Sequence, residues 1–188
     1  MTSELITLHE GHPSDTDRIP SELRCYDVLD SLGIEYMRAD HPHADTIEEC
    51  LAIEKVLGHP ICKNLFLTNR SKTDYYLLLM PGDKPFKTKY LCRQMGCPRL
   101  SFAGPEPMND LLGLAPGSVS VLGLINDTEN AVQLIIDKGV YESEYICCHP
   151  CKNTSTLKIK TDDILGKLLP HVKHEFTVVD LPTSEEIE

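Results

Sequence analysis

Two β-rich runs separated by a short polar loop place the strongest constraint on the fold of this chain. Residues 61–68 and 75–80 are rich in leucine, isoleucine and aromatic side chains, and residues 69–73 join them. A connection of this length favours an antiparallel hairpin. The sequence Pro81-Gly82-Asp83 then ends the second run. We therefore expect a sheet in which strands close in sequence pair with each other.

The rest of the chain mixes further strands with separate helices. The spacing of apolar residues predicts helices over 19–32, 46–58, 88–95 and 161–169, and a short helical segment at Leu111 and Leu112. Thr46 and Glu49 have the spacing of a capping box at the start of the second helix. Further strands are predicted at 34–38, 119–125, 132–137, 145–148, 156–159 and 176–179. This order of elements predicts an α+β fold with a mixed, mainly antiparallel sheet.

The composition indicates a single globular domain covering residues 1–188, with 41% hydrophobic and 25% charged residues. No apolar run approaches the roughly 18 residues of a membrane span, and the N-terminus has no secretion signal. We therefore expect a cytoplasmic location, no membrane partner, and reduced thiols for the eight cysteines. The net charge of -11 argues against indiscriminate binding of nucleic acid, and DNA is not an expected partner.

Standard catalytic signatures are absent from the sequence, but three places carry polar groups of chemical interest. Lys63 interrupts an apolar run and either lies on the solvent face of an edge strand or points into a pocket as a fixed positive charge. Gly117 lies in a glycine-punctuated stretch that is either an ordinary turn or a backbone that approaches a ligand closely.

The third place is the segment 147–154, where His149 and Asn153 lie among three cysteines. A structural, hydrogen-bonded histidine is one interpretation, and a zinc site is another because thiolates and imidazole are the usual zinc ligands. The spacing suits zinc poorly, since adjacent cysteines cannot easily reach the same tetrahedral ion. No metal and no cofactor is therefore expected.

Taken together and in order, these blocks resemble a known family. Lys63-Asn-Leu-Phe-Leu67, Gly117-Ser-Val-Ser120 with Gly123-Leu-Ile-Asn-Asp127, and His149-Pro-x-x-Asn153-Thr154 are similar to the signatures of the YbaK and prolyl-tRNA-synthetase-associated editing domains. Within that group the similarity is greatest to the free-standing alanyl-tRNA(Pro) deacylases, and it covers about residues 19–169.

The resemblance implies a barrel-like sheet surrounded by helices, and hydrolysis of the ester between an amino acid and the terminal adenosine of tRNA(Pro). Members position a water without a metal or a side-chain nucleophile. The implied catalytic residues are Lys63, Gly117 and His149. The implied substrate-binding residues are Thr46, Asn64, Leu65, Ser118, Val119 and Asn153. The family loop usually has proline where this chain has Val121, which leaves the loop conformation and the amino-acid selectivity open.

A local cluster of cations could meet the tRNA backbone despite the acidic total. We expect tRNA contacts from Lys84, Lys87, Lys89 and Arg93, with Arg99 close by. Prolyl-tRNA synthetase or an elongation factor is a further expected partner. The alternatives are a deacylase for cysteinyl-tRNA or another small aminoacyl-tRNA, a non-catalytic module that binds tRNA or a synthetase, and a zinc-stabilised structural domain.

Overall fold

The structure, a computed structural model, describes residues 5–15, 17–44 and 46–187. Its strands are β1 (Thr7–Glu10), β2 (Tyr36–Asp40), β3 (Lys63–Asn69), β4 (Tyr75–Met80), β5 (Leu100–Phe102), β6 (Val132–Asp137), β7 (Tyr145–Cys148), β8 (Ser155–Lys160) and β9 (Phe176–Val179). Its helices are α1 (Pro20–Ser31), α2 (Ile47–Leu57), α3 (Thr88–Met95), α4 (Pro105–Leu112), α5 (Lys138–Tyr141), α6 (Thr161–Asp163) and α7 (Leu169–Val172). The predicted α+β class is confirmed.

The strands form two sheets. The first has the order β1-β2-β8-β7, with every neighbouring pair antiparallel. The second has the order β5-β3-β4-β6-β9, in which β3 is antiparallel to β4 and β5 while β4, β6 and β9 are parallel. Antiparallel pairs therefore predominate, and the β3–β4 hairpin is present as predicted.

One difference from the expected fold concerns the barrel-like sheet. Within the described residues the nine strands leave four sheet edges, at β1, β7, β5 and β9, and do not form a closed barrel. A main-chain hydrogen bond links the two sheets, from the Cys62 amide to the Cys147 carbonyl at 3.4 Å. The sheets otherwise meet through their side chains.

One large core fills the space between the sheets. Leu77 and Leu79 of the second sheet share it with Leu157 and Ile159 of the first. Because side chains alternate along a strand, the opposite face of each sheet needs its own cover. The helix α3 covers the second sheet, where Leu91 packs near Leu78 and Ile135. The helix α2 covers the first sheet through Ile53 and Leu57.

The start and end of α2 follow directly from local sequence. Thr46 Oγ1 accepts from the Glu49 amide at 3.2 Å, and Glu49 Oε2 accepts from the Thr46 amide at 3.0 Å, which confirms the capping box. Gly58 ends the helix with a φ of 64°, in the left-handed region that glycine adopts without strain. This helix carries one wall of the site described below.

The predicted strand at 119–125 is wrong, because residues Val121–Ile125 form a 3₁₀ helix. All five residues of the helix are buried. A short apolar run that is buried on every side has no periodicity that distinguishes a strand from a helix. Ser120 favours the helical conformation locally, because its Oγ accepts a hydrogen bond from the Leu122 amide at 3.2 Å and caps the helix.

Two further differences concern the ends of the chain. The strand β1 was not predicted; it pairs with β2 through an exposed, polar segment that carries little apolar signal. The last helix was expected to end before Pro170 but continues to Val172 through a π-helical turn at Ile164–Leu168. The wider turn accommodates a proline that cannot donate to the preceding turn. No helix of the described segments is long and apolar enough to cross a membrane.

Candidate active site

A pocket of about 790 Å³ lies where the two sheets meet. Its walls come from α2, the start of β3, the turn after β4, the loop at Gly117 and the segment from β7 to Asn153. It therefore collects residues that are far apart in the sequence. The sequence-predicted residues that line it are Thr46, Lys63, Asn64, Gly117, Val119, His149 and Asn153.

Two residues predicted to bind substrate do not line this pocket. Leu65 packs against the cluster that α3 covers, two residues further into β3 than Lys63. Ser118 is only 6% exposed, and its amide donates to the Ala115 carbonyl at 3.0 Å. Both belong to motif blocks that reach the pocket, but their side chains face the protein interior.

Lys63 is the first residue of β3, and its partial burial differs from that of a solvated lysine on an edge strand. Its Nζ donates to the Lys84 carbonyl at 2.8 Å, which holds the ammonium beside the turn that follows β4. No carboxylate of the described residues forms an ion pair with it. An ammonium carries three protons, so two are left to donate to a ligand in the pocket.

His149 lies just after β7, and its hydrogen bonds define its tautomer. Its Nδ1 is 2.9 Å from the Ser155 carbonyl oxygen, which can only accept, so Nδ1 carries the proton. Burial lowers the pKa of His149 to about 4, and the nearby His41 and His43 act in the same direction. The imidazole is therefore neutral at pH 7, and no residue of the described chain makes a hydrogen bond to its Nε2. That nitrogen can accept a hydrogen bond from a water or a hydroxyl.

His41 extends this arrangement on the side away from the pocket. Its Nε2 lies 2.9 Å from Thr156 Oγ1, which is 3.4 Å from His149 Nδ1. Burial also lowers the pKa of His41. The two imidazole rings, 6.3 Å apart, are thus both kept neutral and oriented by the start of β8. His41 was not singled out as a site residue, although His41-Pro42 precedes the capping box.

Two asparagine side chains in the pocket have unsatisfied acceptors. Asn153 is 3% exposed and donates through Nδ2 to the Ala44 carbonyl at 2.9 Å. Asn64 donates through Nδ2 to the Cys62 carbonyl at 3.2 Å. Within the described residues the Oδ1 atoms of both side chains are buried and have no hydrogen-bond partner. A buried acceptor of this kind favours a ligand that brings a donor.

The loop at Gly117 depends on backbone geometry. Gly117 has a φ of 84°, which favours glycine, and a Cβ placed there would lie 3.8 Å from Asn153 Nδ2. Val121, which stands where the family usually has proline, is the first residue of the 3₁₀ helix and is fully buried. Proline suits this helix position, and here the Ser120 cap stabilises the same start.

The thiols around the pocket are poor nucleophiles. Burial raises the pKa of Cys62 and of Cys147 to about 12, and it also raises the pKa of Cys148 well above the usual value of a thiol. The thiolate is the reactive form of cysteine, so these groups are not nucleophilic near neutral pH. In the described part of the chain, no three His, Cys, Asp or Glu side chains are arranged to hold a metal ion.

The cations predicted to contact tRNA do not share one environment. Lys87, Lys89 and Arg93 are exposed, on α3 and at its N-cap, and no described carboxylate pairs with them. Lys84 differs, because its Nζ donates to both oxygens of the buried Asp137 at 3.0 and 3.1 Å and to the Leu181 carbonyl at 2.8 Å. Lys84 thus stabilises the packing of the C-terminal segment on β6.

Arg99 lies away from the pocket, in an open groove of about 950 Å³ at the opposite end of the β3–β4 hairpin. This groove is larger, but none of the residues predicted as catalytic or substrate-binding lines it. Volume alone is therefore a poor guide to the site, and the convergence of Lys63, His149 and Asn153 identifies the smaller pocket as the candidate active site.

One group of pocket residues was missed by sequence reasoning. Ser143 Oγ lies 3.1 Å from His59 Nε2 and donates to the Tyr145 carbonyl at 3.0 Å, while the His59 and Tyr145 rings are 5.8 Å apart in a T-shaped contact. His59 and Ser143 are 84 positions apart and belong to no motif. Only the folded chain brings them together.

The α+β fold brings a fixed ammonium, a neutral imidazole and unsatisfied amide oxygens to one pocket. The sequence model described as the aminoacyl-tRNA editing domain matches residues 41–166. The chain belongs to this family and is an enzyme of the aminoacyl-tRNA deacylase class.

Individual relatives agree with this assignment. The chain is 31% identical to the prolyl-tRNA editing protein ProX of Acetoanaerobium sticklandii, over 81% of this chain and 93% of that protein. It is also 31% identical to the prolyl-tRNA synthetase associated domain-containing protein 1 of Danio rerio, over 79% of this chain and 80% of that protein. A solved structure of a proposed trans-editing enzyme for prolyl tRNA synthetase shares the fold, with a TM-score of 0.64, 16% identity, and coverage of 88% of this chain and 100% of that one.

Proposed function

We propose that this chain hydrolyses the ester bond of mischarged tRNA(Pro), with alanine as the amino acid removed. The observation that carries the proposal is the meeting of Lys63, His149 and Asn153 in one pocket. The relatives named for prolyl-tRNA editing support the choice of tRNA.

Each polar group has a role that its surroundings support. The two free protons of Lys63 can stabilise the negative charge that develops on the carbonyl oxygen, or hold the phosphate of the terminal nucleotide. His149 Nε2 can accept a hydrogen bond from the attacking water or from the neighbouring ribose hydroxyl. Positioning and charge stabilisation can supply most of a hydrolytic rate enhancement, so the proposed mechanism uses neither a metal nor a side-chain nucleophile.

The amino acid itself would be bound by the unsatisfied asparagine oxygens. An aminoacyl ester carries an α-ammonium group, and the Oδ1 atoms of Asn64 and Asn153 lack a donor within the described chain. Thr46 and Val119 also line the pocket and would limit the size of the side chain. Each missing methylene changes the binding free energy by only about 1–3 kcal/mol, so a synthetase for proline also accepts smaller amino acids. A second, smaller pocket can then hydrolyse the mischarged tRNA.

A panel of alanyl-, cysteinyl- and seryl-tRNA(Pro) tests this function. We expect alanyl-tRNA(Pro) to be deacylated fastest, and Lys63→Ala and His149→Ala to reduce that rate strongly. Faster hydrolysis of cysteinyl-tRNA(Pro) would change the substrate and keep the class of reaction. Binding of tRNA with turnover no faster than the uncatalysed control would instead identify a non-catalytic module.

We also propose that the mischarged tRNA reaches this chain in the cytoplasm from prolyl-tRNA synthetase or an elongation factor. The exposed cations Lys87, Lys89 and Arg93 offer a surface for the acceptor stem. Size-exclusion chromatography of the chain with tRNA(Pro) and each protein would test whether a ternary complex forms. Elution of the chain at its own volume in every mixture would contradict a stable complex.

A further inference from the structure

The pocket extends well beyond the groups that the proposed reaction uses. Tyr145 and His149 are at opposite ends of one extended segment, four residues and therefore roughly 13 Å apart along the backbone. His149 belongs to the part of the lining with Asn153 and Gly117, whereas Tyr145 contacts Ser143 and His59, which line the pocket as well. A small amino acid at the His149 end would leave the other end for a different part of the substrate.

The chemistry of that second end suits a flat heterocycle. His59 is partly buried and its ring meets Tyr145 edge to face, so the two aromatic groups form a corner against which a base can stack. The single proton of Ser143 is taken by acceptors of the chain itself, and its oxygen can accept a hydrogen bond from the edge of a base.

Glycine backbone forms part of the pocket lining at Gly82 and Gly139. A Cβ on Gly82 would lie 2.7 Å from the Ile61 carbonyl oxygen, and a Cβ on Gly139 would lie 2.8 Å from Pro81 Cγ. Side chains at these two positions are therefore excluded by packing. Pro81, Asp83 and Val140 line the pocket beside them, so glycine backbone forms only part of this wall.

We propose that His59, Ser143 and Tyr145 form a subsite for the base of the terminal nucleoside of the aminoacyl ester. This inference rests on the proposed function and deepens it, since the ester substrate then spans the pocket from Asn153 at the amino-acid end to His59 at the base end. These residues bind the substrate, and the reacting atoms remain at Lys63 and His149.

An alternative role for Ser143 and His59 is that of a nucleophilic serine activated by a histidine. The geometry does not commit Ser143 to this role, because its one proton has two acceptors within reach, the Tyr145 carbonyl at 3.0 Å and His59 Nε2 at 3.1 Å. The carbonyl of Pro60, 3.1 Å from His59 Nδ1, also takes the place of the carboxylate that orients the histidine of a catalytic triad. A nucleophilic Ser143 predicts a covalent acyl-enzyme, which mass spectrometry of the quenched reaction would detect.

Binding of adenosine, measured by calorimetry or by NMR titration, tests the subsite without any turnover. We expect adenosine to bind the wild-type chain, and His59→Ala and Ser143→Ala to weaken that binding about tenfold and about threefold. Ribose 5-phosphate lacks a base and separates binding of the base from binding of a phosphate. His171→Ala and Ser71→Ala, which change exposed residues outside the pocket, serve as matched controls.

The kinetic counterpart uses aminoacyl-tRNA(Pro). Both pocket variants should raise KM more than they lower kcat, and Tyr145→Phe should keep the wild-type KM because it retains the ring. Adenosine that binds no better than ribose 5-phosphate, or equally well to His59→Ala, Ser143→Ala and the wild type, would overturn the subsite. Base binding that depends on His59 in a chain with no deacylase activity would instead overturn the proposed function and leave the subsite in place.

Discussion

The ammonium of Lys63 donates to the main-chain carbonyl of Lys84 at 2.8 Å. This hydrogen bond connects the start of β3 to the turn after β4. It fixes the position of Lys63, the only lysine or arginine among the described residues that line the pocket. The proposed catalytic role of Lys63 depends on this fixed position, because a preorganised charge loses little energy to rearrangement during the reaction.

Replacing Lys63 should therefore impair chemistry more than stability. We expect Lys63→Ala to lower kcat for alanyl-tRNA(Pro) by roughly 10²–10³-fold, the usual cost of removing one stabilising donor. Single-turnover deacylation measures this, and Lys55→Ala on the exposed surface of α2 is the control. Equal rates for Lys63→Ala and the control would rule out the catalytic role.

The neutral state of His149 should appear in the pH dependence of stability. Burial lowers its pKa to about 4 in the folded chain, against about 6.5 for a free imidazole, so the unfolded chain binds the proton more readily. The resulting stabilisation is complete above pH 6.5 and is lost as the pH falls toward 4, at a cost of about 3 kcal/mol. Urea unfolding between pH 7 and pH 4 measures it.

A variant without the titrating group is the comparison for this prediction. His149→Gln should lose less stability than the wild type over the same pH range, whereas His171→Gln, at an exposed position, should behave like the wild type. Parallel pH profiles for all three proteins would show that His149 is not protonated preferentially in the unfolded chain.

Lys84 and the exposed cations of α3 should respond differently to mutation. Asp137 is fully buried and accepts from Lys84 Nζ, from the Gly139 amide at 2.8 Å and from the Leu181 amide at 3.0 Å. Lys84→Ala leaves this carboxylate without its cation and should cost about 3–5 kcal/mol of the free energy of unfolding. Unchanged stability of Lys84→Ala together with weaker tRNA binding would instead indicate that Lys84 contacts tRNA.

The exposed cations should govern affinity for tRNA and its dependence on salt. Combined replacement of Lys87, Lys89 and Arg93 by alanine should weaken binding and reduce the slope of log K against log salt by about 0.9 for each phosphate that is no longer neutralised. Fluorescence anisotropy at several salt concentrations measures the slope, and unfolding in urea serves as the control. A slope that stays at the wild-type value would exclude α3 from the tRNA interface.

Gly117 tests the importance of loop conformation. Its φ of 84° is costly for alanine, so Gly117→Ala should lower the free energy of unfolding by about 1–2 kcal/mol and displace the loop beside Asn153. Gly166→Ala is the matched control, because a Cβ there meets no atom within 4 Å and lies in a helical segment. Deacylation by the Gly117 variant at the wild-type rate would show that the loop does not shape the site.

Much of the fold follows from local sequence. The capping box of Thr46 and Glu49, the left-handed Gly58 and the hairpin of β3 and β4 each depend on residues a few positions apart, so their signals are readable in the chain itself. The run at 119–125 shows where such reasoning ends, because a segment buried on all sides has the same composition as a strand or a helix.

The candidate active site also has features that the sequence predicted and features that only the structure determined. The ordered motifs around Lys63, Gly117 and His149 determined the family and the residues to examine, since motifs are properties of the sequence. The tertiary structure alone decided that Lys84 belongs to Asp137, that Leu65 faces the interior, and that His59 meets Ser143. It also decided that His149 is neutral, because burial and hydrogen bonding between distant segments set the pKa of a side chain and no local pattern contains them.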